Sequence, residues 1–75
     1  MAAVTSKIAE LHTKAAEHYT KAAEHHAEAA KHHEAGSVEK GAYHAQVALG
    51  HAAQAEHHAD EAAKAHAELH ASSKK

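Results

Sequence analysis

A seven-residue period runs through this chain, and it restricts the fold to paired helices more tightly than any other feature. From Ser6 the residues read SKIAELH, TKAAEHY, TKAAEHH and AEAAKHH, ending at His33. A second run, VEKGAYH, AQVALGH, AAQAEHH and ADEAAKA, starts at Val38 and fades through His66 and beyond. Between the runs stand Glu34, Ala35, Gly36 and Ser37. Glycine suits the left-handed residue that closes a helix, and serine suits the N-cap of the next. So short a link between two long helices folds them back antiparallel. The expected fold is all-α: one domain over 1–75, a two-helix hairpin of about 5–35 and 38–71, and a frayed tail at 72–75.

Composition agrees with helix and warns of a thin core. Of the 75 residues, 23 are alanine and none is proline, which favours helix throughout. The bulky aliphatics are only Val4, Ile8, Leu11, Val38, Val47, Leu49 and Leu69, and Tyr19 and Tyr43 are the only aromatics. Alanine buries little area, so the hydrophobic stabilisation available is small. A formal charge of −2 is too low for the self-repulsion that keeps chains disordered.

Steps of three and four trace a seam along each helix. The first passes through Ile8, Leu11, Ala15, His18, Ala22, His25, Ala29 and His32. The second passes through Gly41, His44, Ala48, His51, Ala55, His58, Ala62, Ala65 and Leu69. Folding about Gly36 gives the layers His32/Gly41, Ala29/His44, His25/Ala48, Ala22/His51, His18/Ala55 and Ala15/His58. Each sets one imidazole against one very small residue. Leu11/Ala62, Ile8/Ala65 and Val4/Leu69 follow as an apolar plug at the open end.

In this register His32, His44, His25, His51, His18 and His58 form a ladder, with successive rungs from opposite helices and about 5 Å apart. Adjacent rungs can reach one metal ion, whereas two histidines seven apart on one helix sit about 10 Å apart and cannot. Imidazole nitrogen suits copper and zinc first, then nickel and cobalt. Two imidazoles leave the coordination shell incomplete, so water, a carboxylate or a second chain must fill it. His66 and His70 lie i,i+4 on one face and form a local chelate, of which His57 with Glu61 is a weaker surface version. As a plain filler histidine explains the alternation with alanine, but leucine would stabilise each central layer far more. Metal ligation accounts for the choice better.

The flanks carry further information. Ala9, Ala16, Ala23 and Ala30 join His12, Tyr19, His26 and His33 along one side of the first helix. Ala42, Ala45, Leu49, Ala52, Ala59 and Ala63 do the same on the second, with Glu56 interrupting. A face wider than one seam calls for a homodimer, two hairpins making a four-helix bundle. His12 and His26 join the candidate ligands on this ground. The opposite side carries Lys7, Lys14, Lys21, Glu10, Glu17 and Glu24, a solvated face with Glu10–Lys14 and Glu17–Lys21 as i,i+4 pairs.

Several function classes drop out. With no cysteine, thiolate metal sites and disulfides are excluded. No arginine is present and lysine is balanced by acid, so no basic stripe for nucleic acid forms. No apolar run reaches a membrane span or a signal core, which leaves the cytoplasm as the expected compartment. A hydrolytic metal site needs three fixed ligands and a shaped pocket, so catalysis is not expected. Haem needs an apolar slot that a chain without phenylalanine is poorly equipped to build. The leading reading is storage, buffering or sequestration of transition metal, and the competing one is a pH-responsive structural or interaction module. In its AAEHH, AAKHHEAG and HAAQAEHHADEAAK stretches, over nearly its whole length, the chain resembles small bacterial histidine- and alanine-rich helical-hairpin proteins. The resemblance implies the hairpin and brings no activity with it.

Overall fold

In the computed structural model, which describes residues 2–73, α1 spans Ala2–Glu34 and α2 spans Val38–Ser73. The helices pack against each other, and the described residues contain no strand. Helix α1 begins three residues earlier than the heptads suggest, and α2 takes in Ser72 and Ser73, which the sequence assigns to a frayed tail. Lys74 and Lys75, the rest of that tail, lie outside the described residues, as does the side chain of Val4 in the expected plug.

The reversal rests on Gly36, whose φ of 84° falls in the left-handed region that glycine adopts without a Cβ clash. The Ser37 amide donates to the His32 carbonyl at 2.7 Å, and the Gly36 amide donates to the His33 carbonyl at 3.1 Å. This double closure satisfies two carbonyls that the end of α1 would otherwise leave unpaired. The Ser37 carbonyl accepts the Gly41 amide at 3.0 Å and so starts α2. Lys31, His32 and His33 in the last turn of α1 place cations or potential cations where the helix dipole favours them.

The core is a line of small residues. Ile8, Leu11, Ala15, Ala22 and Ala29 on α1 and Ala48, Ala55 and Ala62 on α2 are buried, the last three completely. Gly41 is buried as well, and His18, His25, His32, His44, His51 and His58 are half-buried. Every seam position with a described side chain is therefore buried or half-buried. No polar side chain is fully buried among the described residues. Thr13 and Thr20 turn their hydroxyls onto the carbonyls of Ala9 and Ala16, each at 3.0 Å, which lets them sit inside a helix.

The outcome is a rod measuring 60 × 15 × 12 Å with a radius of gyration of 17.0 Å, against about 11 Å for a compact domain of this length. No helix is long and apolar enough to cross a membrane among the described residues. The lysine–carboxylate pairs among the described residues are Glu28–Lys31 at 3.5 Å and Glu61–Lys64 at 3.6 Å, both i,i+3. They replace the expected Glu10–Lys14 and Glu17–Lys21 pairs; exposed side chains this long exchange partners at little cost.

Candidate metal centre

Burying alanine on both helices holds the backbones close, and the gaps between levels are where the imidazoles enter. His32 lies 5.3 Å from His44 between ring centroids, and His44 lies 5.2 Å from His25. His25 is 5.8 Å from His51, His51 is 5.4 Å from His18, and His18 is 5.6 Å from His58. The six rings run in one file, alternating between helices, in the order the fold-back about Gly36 implies. His25 sits between His44 and His51, at the level of Ala48, and His18 sits between His51 and His58, at the level of Ala55. The large-against-small layering follows directly.

Two rungs are hydrogen-bonded. Nδ1 of His18 lies 3.1 Å from Nδ1 of His51, and Nδ1 of His25 lies 3.0 Å from Nδ1 of His44. In each neutral pair one ring carries its proton on Nδ1 and donates, while the other carries it on Nε2 and accepts. Two nitrogens bound to one zinc ion at tetrahedral angles stand about 3.3 Å apart, and about 2.9 Å at a square-planar corner. Each bonded pair is thus spaced close to what one ion needs; to hold it, the donor ring would carry its proton on Nε2 instead, so that both Nδ1 atoms offer lone pairs.

Near the turn the donors increase to three. One ligand atom each from Glu28, His32 and His44 lies within 4.8 Å of the others, and all three residues are half-buried. Oε1 of Glu28 approaches Nε2 of His32 at 3.8 Å across one helical turn. Helix α1 supplies the i,i+4 pair and α2 the third donor, so an ion held there would join the two arms. A carboxylate with two imidazoles is a donor set that zinc and its neighbours accept.

Glu28 was absent from the sequence-based candidates. It occupies the heptad row of Lys7, Lys14 and Lys21, read as a solvated face, and it is where that row turns from lysine to acid. That switch, four residues before a seam histidine, is the signal that would have found it.

The remaining candidates divide. His66 and His70 face each other at 6.2 Å with planes 17° apart, and His12 lies 5.7 Å from His66. His26 is exposed and enters no ring contact among the described residues. His33, read as solvated surface, is exposed, yet its ring lies over Gly41: a Cβ built there would meet three of its atoms at 2.5–2.8 Å. The small residue at 41 therefore leaves room for the His33 ring as well, a contact that the layer scheme did not include. Heptad spacing fixes the angle of a Cα but not the rotamer that carries its ring. His57 packs edge-on against His58, and Tyr43 packs edge-on against His44.

Partial burial lowers the pKa of two rungs. His51 is pushed below the ordinary imidazole value first by desolvation, then by the charges of His18, His25 and Lys21. His58 is lowered by desolvation and by His57, His18 and Lys14, with Glu61 opposing. Both shifts favour the neutral ring, the form that binds metal.

Compared with protein-family models, curated proteins and solved structures, the chain matches none.

Proposed function

We propose that this protein binds transition-metal ions, copper or zinc first and nickel or cobalt next, to store, buffer or sequester them without catalysing a reaction. The observation that carries this reading is the convergence of Glu28, His32 and His44 within 4.8 Å. The bonded pairs His18/His51 and His25/His44 support it, because their nitrogen spacing is close to what one ion needs. So does the thin core, since metal that binds only the folded chain adds its binding energy to folding. Water completes the shells, or a second hairpin does so in a four-helix bundle. The proposal is placed in the cytoplasm, as the sequence led us to expect.

The test is a titration of the full chain, purified without an affinity tag, with zinc, copper, nickel and cobalt in turn. Binding is followed by calorimetry and stability by thermal melting. At least one metal is expected to raise the melting temperature at near-stoichiometric amounts, and the pair His32→Ala with His44→Ala to lose part of that rise. A melting temperature unmoved by every metal would end the proposal.

The lowered pKa values of His51 and His58 favour a second reading, a pH-responsive structural or interaction module. Acid unfolding alone does not separate the two, since protons compete with metal for the same nitrogens. Assembly that switches with pH in metal-free, chelator-treated buffer would select the second.

A further inference from the structure

At the end of the rod away from Gly36, α1 and α2 are held by a short apolar plug, with Ile8, Leu11 and Ala62 buried and Ala65 and Leu69 half-buried. Just beside it stand three exposed histidines, one from α1 and two from α2. His66 is central, 5.7 Å from His12 across the helices and 6.2 Å from His70 one turn along. We infer that His12, His66 and His70 form a second metal site, a three-imidazole clasp for zinc or a chemically similar divalent ion that ties the open end of the hairpin together. The inference deepens the metal-binding reading and rests on it for the class of ligand, while its residues are separate from Glu28, His32 and His44.

Three observations combine. Two imidazoles one helical turn apart can grip one ion from a single face. When two imidazoles share an ion at tetrahedral angles, their ring centres stand about 5 Å apart. The observed separations exceed that by about 1 Å, which side-chain rotation supplies without moving either backbone. Finally, all three rings are exposed, so an ion reaches them directly from water. Three nitrogens leave the fourth position for water or a small anion.

The clasp has a mechanical consequence that the turn-end site lacks. His32 and His44 flank the turn and are already held together by it. His12 and His66 are joined only through nearly the whole hairpin, so an ion between them closes a far longer loop. Loop-closure entropy rises with the logarithm of loop length, and a metal at the open end therefore suppresses fraying more than one at the turn.

The experiment compares the full-length wild type with His12→Ala, with His66→Ala/His70→Ala and with His32→Ala/His44→Ala. Zinc is the probe, affinities come from calorimetry, and imidazole nitrogen resonances are followed by NMR. Circular dichroism of the metal-free chains confirms that each variant is folded, as exposed positions lead us to expect for His12, His66 and His70. In the wild type, zinc is expected to shift the ring nitrogens of His12, His66 and His70 together. His12→Ala should weaken that site at least tenfold and reduce the zinc-induced rise in melting temperature, leaving the His32 and His44 shifts intact. If the His12 resonances stay fixed while His66 and His70 shift, or if His12→Ala binds zinc at that end as tightly as the wild type, the site is a one-helix chelate and the clasp is wrong. Zinc lost from the turn end in His32→Ala/His44→Ala, with the open end never occupied, also overturns the clasp while leaving the broader reading standing. No zinc, copper, nickel or cobalt uptake by the wild type removes both.

Discussion

The half-buried imidazoles of His51 and His58 tie stability to pH in a direction that the structure determines. Both are held below the ordinary imidazole value, His51 by desolvation and then by His18, His25 and Lys21, His58 by desolvation and then by His57, His18 and Lys14. In the unfolded chain such rings titrate near about 6.5. Because the folded values are lower, their contribution is fully present above the unfolded value and is lost as pH falls through the folded one. In metal-free buffer the denaturant midpoint is therefore expected to be flat above pH 7 and to fall as pH drops below about 6.5, the ordinary imidazole value. His51→Gln with His58→Gln should flatten that fall, and an unchanged slope would remove these two rings as its source. Gly41 is the other residue with a definite expectation. The nearest atoms that a methyl there meets are outer atoms of the His33 ring, which is exposed and free to swing aside. Gly41→Ala should therefore keep most of the helix-propensity gain of about 1 kcal/mol and raise the melting temperature, with the His33 resonances displaced. A fall of several degrees would mean that the ring is pinned where it lies.

Between the helices, alanine fixes the spacing on which the histidine file depends. Ala48, Ala55 and Ala62 have no exposed surface at all, so no room exists for a larger side chain at those levels. Ala55→Leu should force the helices apart or expel a ring, costing about 1–3 kcal/mol and breaking the His18–His51 bond beside it. Ala53→Leu, on the exposed side of the same helix, should cost little; denaturant titrations of the two variants read the difference. If Ala55→Leu proves as stable as the wild type, the seam is looser than the burial implies. The scale of the helix is also where most of the fold could be read in advance. The heptads placed the seam, Gly36 placed the reversal, and together they put His32, His44, His25, His51, His18 and His58 in order. Less legible was anything decided by a side chain's own torsions. The seating of His33 over Gly41, the recruitment of Glu28 from a row of lysines, and the approach of His12 to His66 all depend on rotamers, which repeat spacing does not encode. Nor did the period predict that Glu28 and Glu61 would pair at i,i+3 while Glu10 and Glu17 would not pair with Lys14 and Lys21, because exposed ion pairs differ by too little energy to leave a pattern.

The whole molecule is a rod with more surface than its mass requires. Its accessible area is 5295 Å², against about 4,400 Å² for a compact monomer of this size. Part of the surplus is apolar: Tyr19, Tyr43 and Leu49 are at least half exposed. The His12–His66 ring contact shows how the flanks are arranged. Tyr19, His26 and His33 follow His12 at steps of seven along α1, while Ala59, Ala52 and Ala45 precede His66 at steps of seven along α2. These two rows accordingly lie on the same side of the rod, with Leu49 on the outer edge of the α2 row, and they form a strip of small residues, histidine and tyrosine that Glu56 interrupts. Glu28 and the lysine row occupy the other side. A second copy of this chain, laid along the strip, would convert two thin hairpins into a bundle with a shared centre. Its stability would then depend on concentration, because folding and association would be linked by mass action. Light scattering after size-exclusion chromatography should accordingly give twice the chain mass at micromolar concentration, with a melting temperature that rises on concentrating the sample. Tyr19→Lys with Leu49→Lys places charge on the strip and should return the protein to a monomer that melts at lower temperature. Glu10→Gln with Glu17→Gln on the other side makes the same change of two charges and should leave the dimer intact. A wild type that stays monomeric across the concentration range, with an unvarying melting temperature, would mean that the strip meets only water and that any metal shell must be completed within one hairpin.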